Sequence, residues 1–215
     1  EAADKMQVDK KTAEDLANDK FGANINHEET QSKLDIERVE SKIVVPNPVL
    51  LDSEDVLSSS RAAVDSLTKE QQKKLNKEKL EALEKAEKTL NKIKTQPTLD
   101  FLDSTSLNSG FNVEFYGGFG KVKFEEAKAE GLKLRVDSDY RYFADASGNL
   151  HPNAKVSINI DGVEKTLVYG TDYTSEEGST IISFAPTFLK SLKPGSYVGR
   201  IKTNAGYAEF TLAVQ

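Results

Sequence analysis

Cysteine and tryptophan are absent from this 215-residue sequence, and methionine occurs once. Without cysteine the chain has no disulfide, no thiolate nucleophile and no sulfur ligand for a metal. The sequence contains only two histidines, so the commonest metal ligands and general bases are also scarce. These absences count against a metalloenzyme or a redox enzyme, and we expect a protein that is not an enzyme.

Long hydrophobic runs and an excess of positive charge are missing too. Hydrophobic residues make up 37% of the sequence and charged residues 30%, with a formal net charge of -6 at pH 7. No apolar stretch approaches the roughly 20 residues that a membrane-spanning helix needs. Proteins that bind nucleic acid usually present a basic face to the phosphates. We therefore expect no membrane span and no nucleic-acid partner.

The sequence begins at Glu1, and no basic segment followed by an apolar one lies near that end. A processed chain, whose signal peptide has been removed or lies outside the sequence, has these features. Absence of cysteine is compatible with the cytosol, and it is also common in secreted proteins of Gram-positive bacteria. Of these two, we expect an extracellular or cell-surface location.

The first half of the chain predicts helices. After a polar, partly helical segment at 1–28, with a short helix around Lys11–Lys20, apolar residues recur three or four positions apart. Thr68 and Gln71 have the spacing of a capping box, which opens a short helix. Residues 29–96 are expected to form a small helical bundle. Its predicted apolar positions are Ile36, Val39 and Ile43, then Leu57, Val64 and Leu67, and then Leu80, Leu83, Ala86, Leu90 and Ile93 over Lys77–Lys94.

After Pro97 the apolar period becomes two, which is typical of strands, and turn residues such as Asp161-Gly162 separate the segments. The clearest inward rows are Leu132/Leu134/Val136, Val156/Ile158/Ile160 and Ala208/Phe210/Leu212/Val214. With 97–108 as a linker, residues 109–215 are expected to form an antiparallel immunoglobulin-like β-sandwich. The predicted fold class is thus α+β with segregated domains. The predicted strands are Phe111–Tyr116, Gly120–Phe124, Leu132–Val136, Val156–Ile160, Lys165–Tyr169, Thr180–Phe184, Tyr197–Lys202 and Tyr207–Val214.

Three short motifs follow one another in the second half: Gly-x-Asp-Tyr-Thr at Gly170–Thr174, Gly-Ser-Thr at Gly178–Thr180, and Leu-x-x-Leu at Leu189–Leu192 before Gly195. In this order they resemble the X2-type immunoglobulin-like modules of Gram-positive extracellular proteins, and the resemblance covers roughly Phe111–Gln215. It implies an accessory module of a secreted hydrolase, scaffold or surface protein, with no catalytic residues of its own. The helical stretch resembles the three-helix spacer repeats of Gram-positive surface proteins.

Two sets of residues are candidates for binding. Tyr140, Tyr142 and Phe143 are the best ligand platform, because flat aromatic faces stack on sugar rings, although strand alternation is expected to turn at least one of them inward. The carboxylates that crowd into one strand end and loop could hold calcium, which takes several oxygen ligands. These carboxylates are Asp137, Asp139 and Asp145. Since the spacing of a dedicated calcium loop is absent, solvated loop carboxylates are the alternative, and no other cofactor is expected.

The sequence leaves two functions open. The first is a non-catalytic spacer, adhesive or display module of a larger bacterial protein. Its partners would be other domains of the same polypeptide, a surface protein, or polysaccharide of the cell wall, host or diet. The alternative is a carbohydrate-binding accessory module of a secreted glycan-degrading enzyme. A hydrolase that uses only paired carboxylates is a third class, but such clefts usually need a larger scaffold.

Overall fold

A computed structural model describes residues 27–106, 111–115, 121–123 and 131–214. Helices occupy the N-terminal part of the chain, and two antiparallel sheets occupy the C-terminal part. The α+β layout predicted from the sequence is confirmed at this level. The predicted helix around Lys11–Lys20 lies outside the described residues. Among the helices within the described ranges, none is both long enough and apolar enough to cross a bilayer.

The chain divides into two compact units. The described residues of the helical unit are 27–45 and 55–85, and those of the sheet unit are Pro46–Glu54 and the residues from Ala86 onward. The domain boundaries that the sequence predicts, after residues 28, 96 and 108, stay predictions.

Most of the predicted helix faces are buried. α1 covers residues 27–42, α2 covers Glu54–Asp65, α3 covers Lys69–Gln72 and α4 covers Lys77–Thr95. The apolar spacing read from the sequence is therefore confirmed as the packing face of each longer helix. The side chains buried along these faces are Ile36, Val39, Leu57, Val64, Leu83, Ala86, Leu90 and Ile93. Of the other predicted positions, Leu67 is buried just after α2 ends, and Ile43 and Leu80 are half-buried.

Thr68 caps α3 as the sequence predicts. The Gln71 backbone N–H donates to Thr68 Oγ1 at 3.3 Å, and the Thr68 backbone N–H donates to Gln71 Oε1 at 2.9 Å. This reciprocal pair satisfies N–H groups that a helix start leaves without partners. The neighbouring Gln72 side chain donates to the carbonyls of Val64 and Leu67, at 3.2 and 3.0 Å, so α3 also closes the end of α2.

Ser60, on α2, binds the segment that follows α1. Its side chain is buried, with 1% exposure. The Val44 backbone N–H donates to Ser60 Oγ at 3.0 Å, and the Ser60 hydroxyl lies 3.1 Å from the Val44 carbonyl and 3.3 Å from that of Lys42. The Ser60 hydroxyl thus forms hydrogen bonds with both the N–H and the carbonyl of Val44, which lies outside the helices.

Replacing Ser60 by Ala is expected to destabilise the helical unit by about 1–2 kcal/mol, because partly buried backbone groups of Val44 lose their partner. Urea unfolding followed by far-ultraviolet circular dichroism measures the change. Ser58→Ala, at an exposed position of the same helix, is the matched control. It is expected to be neutral or slightly stabilising, because Ala has the higher helix propensity. Equal effects of the two variants would contradict the role given to Ser60.

The sheet unit contains two antiparallel sheets. The first has the strand order β1-β4-β8-β7, and the second has the order β3-β2-β10-β9-β5-β6. A short helix, α5 (Pro186–Ser191), joins β8 to β9. The strands are β1 Phe101–Ser106, β2 Phe111–Phe115, β3 Lys121–Lys123, β4 Leu132–Val136, β5 Lys155–Ile160, β6 Val163–Thr166, β7 Tyr173–Glu177, β8 Thr180–Phe184, β9 Gly195–Thr203 and β10 Gly206–Val214.

Both sheets contribute side chains to one core. The predicted inward rows are confirmed: Leu132, Leu134, Val136, Val156, Ile158, Ala208, Phe210 and Leu212 are buried, and Ile160 and Val214 pack at the margin. Phe210 of the second sheet contacts two aromatic rings. Its ring centroid lies 5.9 Å from that of Phe101 and 5.8 Å from that of Phe184, and both of these residues belong to the first sheet. Such aromatic pairs add to the burial of apolar area.

Gly199 faces Phe210 from the neighbouring strand, because the two residues are paired across β9 and β10. A Cβ atom at position 199 would collide with three carbon atoms of the Phe210 ring. The ring therefore lies directly on the glycine backbone, and the close approach requires a residue without a side chain.

Strands β1 and β7 are not predicted by the sequence pattern. β1 lies within the residues expected as a linker, and it pairs with β4. Its Phe101 is buried, but Leu102 is 36% exposed and the following residues are polar. In β7 only Tyr173 is fully buried. β7, with a single fully buried residue, and β1, whose sequence is polar after Leu102, both lack the alternation by which a strand is recognised.

Strand β6 begins earlier than the sequence predicts. Asp161 and Gly162 both have positive φ angles, of 52° and 82°, which is the geometry of a type I′ hairpin turn. This turn reverses the direction of the chain within two residues, so that Val163 pairs with Ile160. The strand consequently covers Val163–Thr166, and Tyr169 lies in the loop that follows.

Asn204, in the turn between β9 and β10, joins separate segments of the sheet unit. Its side chain is 2% exposed. Its carbonyl accepts from the Leu51 N–H at 2.8 Å, its Oδ1 accepts from the Asp52 N–H at 3.2 Å and from Asn153 Nδ2 at 3.1 Å, and its N–H donates to the Tyr142 carbonyl at 2.9 Å. A buried amide of this kind stabilises a fold only when its polar groups have partners, as they do at Asn204.

Candidate functional site

The three predicted ligand residues do not share one environment. Tyr140 and Tyr142 are partly exposed and lie in a 3₁₀ turn that Asp139 caps. Phe143 follows this turn, is 0% exposed, and has its ring centroid 6.5 Å from that of Tyr173. Phe143 is therefore the residue that turns inward and has no face open to a ligand. Binding through Tyr140 and Tyr142 stays a prediction.

Tyr169 joins Tyr140 at Ser175, and we call these three residues the tyrosine patch. The Tyr140 hydroxyl lies 3.1 Å from Ser175 Oγ, and the Ser175 hydroxyl donates to Tyr169 Oη at 3.5 Å. Tyr169 is 36% exposed and packs edge-on against Tyr173, with 5.5 Å between ring centroids. Burial raises the pKa of Tyr173 to about 12. The patch offers two aromatic residues from different loops.

Two of the three predicted metal-ligating aspartates, Asp139 and Asp145, form hydrogen bonds within their own loops. Asp139 accepts from Arg141 Nη2 at 2.6 Å, and this hydrogen bond holds the pKa of Asp139 at about 2. Asp145 accepts from the side-chain amide and the backbone N–H of Asn149, both at 2.9 Å, and these bonds lower its pKa. Within residues 27–106, 111–115, 121–123 and 131–214, no three His, Asp or Glu side chains converge as a metal site. Calcium binding at Asp137, Asp139 and Asp145 stays a prediction.

A groove of about 610 Å³ lies on the outer face of the second sheet, and we call it the outer-face groove. It crosses β6, β5, β9 and β10, between the β5–β6 turn and the segment that leads into β9. Tyr197 and Val198 supply apolar surface near one end. The polar side chains that line it are Ser157, Asn159, Asp161, Glu164, Arg200 and Glu209.

The strand register brings these polar side chains together. Ser157 pairs with Thr166 on one side and with Arg200 on the other, and Arg200 pairs with Glu209. Alternate residues of a strand point to opposite faces, so these four project away from the core side that Ile201 and its neighbours occupy. One row thus carries hydroxyl, guanidinium and carboxylate groups across four strands, a width of about 14 Å.

Two ion pairs hold side chains of this row and its neighbours in position. Arg200 Nε donates to Glu209 Oε2 at 3.0 Å, and Lys155 Nζ lies 3.1 Å from Glu164 Oε1. The Ser157 hydroxyl and the Lys155 ammonium hold the pKa of Glu164 below its usual range, and Arg200 adds to the effect. Three of the charged side chains that line the groove, those of Glu164, Arg200 and Glu209, therefore already have partners.

No protein-family model, curated protein or solved structure matches this chain. The resemblance to X2-type modules accordingly rests on the motifs in the sequence, and the function is argued from the geometry of the described residues.

Proposed function

We propose that this chain is a non-catalytic extracellular or cell-surface module that spaces or displays other domains of a larger bacterial protein. The observation that carries the proposal is the position of β10. This strand lies inside the second sheet, paired with β9 along Gly206–Val214 and with β2 from Phe210 to Val214. It is therefore bonded on both sides, as a strand that transmits force should be.

The segment that precedes β1 lies beside the first residues of β10, whereas the chain leaves the sheet from the last residues of β10. The backbone N–H groups of Thr98 and Leu99 donate to the Tyr207 carbonyl at 3.0 and 3.2 Å. Val214 lies about 23 Å further along the strand. A pull applied before Thr98 and after Val214 thus runs along β10. Because antiparallel ladder bonds lie perpendicular to the strands, such a pull loads many of them together.

The X2-type immunoglobulin-like identity belongs to the same proposal, and the packing of the motif residues supports it. Gly170 has a φ of 78°, and Asp172 Oδ2 accepts from the Val168 N–H at 2.8 Å, so both residues shape one corner of the chain. Tyr173 is 2% exposed, and Leu189 in the helical turn is 0% exposed. Each of these motif residues has a structural role, which favours a motif that specifies architecture over one that specifies catalysis.

Single-molecule stretching tests the proposal. The absence of cysteine lets introduced cysteines define the points of attachment. With one handle at Gln96→Cys and the other at a cysteine added after Gln215, we expect one cooperative rupture of the sheets at high force. The extension released is expected to be roughly 40 nm, the length of the unravelled chain between the handles.

The control changes only the direction of the pull. Handles at Gln96→Cys and Thr166→Cys load the second sheet across its strands, because β6 and β10 are separated by β5 and β9. Ladder bonds then break one after another, and the rupture force is expected to be several-fold lower. A force along β10 that is no higher than the force across the strands would overturn the spacer proposal.

A further inference from the structure

The tyrosine patch is not explained by the transmission of force, which requires no reactive side chain. We propose that the patch is an oxidative modification site, at which a peroxide acting through a peroxidase joins the rings of Tyr140 and Tyr169 by a carbon–carbon bond. The proposal goes beyond the spacer function and does not depend on it. It would give a chain without cysteine a covalent cross-link between two of its loops.

The composition of the chain leaves tyrosine as the main target of one-electron oxidants. Cysteine and methionine are the side chains that oxidants usually attack first. This chain has no cysteine and no tryptophan, and Met6 is its single methionine. A tyrosine that loses one electron and one proton becomes a phenoxyl radical, whose unpaired electron is shared with the ring carbons beside the hydroxyl. We therefore expect oxidation to fall on the seven tyrosines.

The three hydroxyl groups of the patch are hydrogen-bonded in series. The Ser175 hydroxyl donates to Tyr169 Oη at 3.5 Å, and a serine hydroxyl has one proton to donate. The Tyr140 hydroxyl, 3.1 Å from Ser175 Oγ, is therefore the donor in its own bond with Ser175. Both phenol oxygens thus lie within 3.5 Å of the same serine oxygen. The ring carbons next to these two oxygens are those at which phenoxyl radicals couple.

Both rings of the patch are accessible and belong to connecting segments. Tyr169 is 36% exposed and lies in the loop after β6, and Tyr140 is partly exposed and lies in the 3₁₀ turn after β4. Coupling requires two ring carbons to approach within bonding distance. A tyrosine outside the strands can rotate about its side-chain bonds without breaking a ladder of hydrogen bonds. The two rings can therefore meet while both sheets stay intact.

Three other tyrosines are less suited to coupling. The ring centroid of Tyr173 lies 5.5 Å from that of Tyr169, but Tyr173 is 2% exposed, so a peroxidase cannot reach its hydroxyl. The Tyr197 hydroxyl donates to the Lys193 carbonyl at 2.7 Å, away from any described tyrosine hydroxyl. The Tyr207 ring has the guanidinium carbon of Arg200 5.2 Å from its centre, and a cation at a ring face opposes the removal of an electron.

The reaction balances with one molecule of hydrogen peroxide. Each phenol gives up the hydrogen of its hydroxyl as one electron and one proton. The two radicals form one carbon–carbon bond between positions adjacent to the hydroxyls, and the two ring hydrogens at that bond then move to the oxygens, which restores both aromatic rings. Peroxide accepts the two electrons and the two protons and leaves as two molecules of water.

The cross-link would join two segments that are far apart in the sequence. Tyr140 follows β4, Tyr169 follows β6, and Ser175 between them belongs to β7, an edge strand of the first sheet. A covalent bond that closes the chain between two such positions restricts the unfolded state, as a disulfide does. We therefore expect the cross-linked sheet unit to melt at least about five degrees above the unmodified one.

Oxidation of the full chain in solution tests the proposal. A dilute sample is treated with hydrogen peroxide and a haem peroxidase, the monomer is separated by gel filtration, and its dityrosine fluorescence is measured. Digestion and mass spectrometry then identify the joined peptides, which have lost two hydrogen atoms. We expect the joined peptides to contain Tyr140 and Tyr169. The same oxidation in urea is expected to lose this preference, because the preference depends on the folded patch.

Substitutions by Phe supply the variants and their matched control. Tyr140→Phe and Tyr169→Phe keep the ring and remove the reactive hydroxyl, so the oxidised monomer is expected to lose most of its dityrosine fluorescence. Tyr142→Phe is the control, because Tyr142 belongs to the same 3₁₀ turn as Tyr140 and is also partly exposed. It is expected to leave the fluorescence unchanged. Unfolding curves recorded before oxidation show that each variant retains its fold.

Three results would overturn the cross-link proposal. The first is an oxidised monomer without dityrosine fluorescence, and the second is a set of joined peptides that contain other tyrosines, including Tyr116 outside the described residues. The third is a cross-linked monomer that melts no higher than the unmodified chain, which would mean that the rings had to leave their native positions. None of them bears on the rupture force of the unmodified chain along β10. The spacer and cross-link proposals therefore fail separately.

Discussion

Replacing Phe210 by Ala is expected to lower the free energy of unfolding of the sheet unit by about 3–5 kcal/mol. The side chain is 2% exposed and packs against Phe101, Phe184 and the backbone of Gly199, so truncation opens a cavity in the shared core. A domain usually has only about 5–15 kcal/mol of stability, and this change would remove a large part of it. Urea unfolding followed by tyrosine fluorescence measures the loss. The melting temperature is expected to fall by more than about ten degrees.

Two substitutions on the opposite face of β10 are the controls. Tyr207 and Glu209 are partly exposed, and their replacement by Ala is expected to cost less than about 1 kcal/mol each, as is usual for surface positions. A value for Phe210→Ala within about 1 kcal/mol of wild type would mean that the strand does not have this register, since a shift of one residue exchanges the two faces.

Adding one methyl group at Gly199 is expected to be costly for the same reason. The Cβ of Gly199→Ala would collide with the Phe210 ring, which must move within a close-packed core. Overpacking of this kind usually costs about 1–3 kcal/mol. The same urea experiment measures it.

A double-mutant cycle isolates the collision. In the Phe210→Ala background the ring is gone, so Gly199→Ala is expected to be neutral or to regain stability by filling part of the cavity. The coupling between the two positions should then be about 1–3 kcal/mol, in the range seen for residues in direct contact. Strictly additive effects would contradict the contact between this ring and the glycine backbone.

Elements with a buried face along their whole length were predictable from the sequence. β4 and β8 have the predicted bounds, because β4 buries Leu132, Leu134 and Val136 and β8 alternates in the same way. α4 likewise begins at Lys77, as its stripe predicts. In these elements the same residues produce the hydrophobic period and form the packing face. The local sequence is therefore enough to predict the type of element and its bounds.

Elements whose position depends on a partner were not predictable. β1 is held by its pairing with β4, and its polar residues after Phe101 carry no period of their own. The start of β6 is set by the positive φ angles of Asp161 and Gly162, which return the chain two residues earlier than the apolar pattern indicates. Register between strands far apart in sequence is a tertiary property that a single strand does not encode.

The candidate sites also differ in whether the sequence alone could point to them. Tyr140 and Tyr142 can be singled out from the sequence because they are aromatic residues two positions apart in a polar segment, and binding through them stays a prediction. The outer-face groove could not, because Glu164, Arg200 and Glu209 come from three strands and each is an ordinary outward-facing polar residue in its own strand. Only the pairing of Ser157 with Arg200, and of Arg200 with Glu209, brings them into one row.

The exposure of β6 has a consequence for how copies of this protein behave when they are crowded together. This strand forms the outer edge of the second sheet, all four of its residues are exposed, and Val163 is 68% exposed. An open edge is a template on which a neighbouring copy can add a strand, and the risk grows when copies stand densely side by side. β6 is short and carries Glu164 and Lys165, which is how natural sheets discourage such pairing. Copies of this protein should therefore remain separate at high local concentration, with the outer-face groove of each one still accessible.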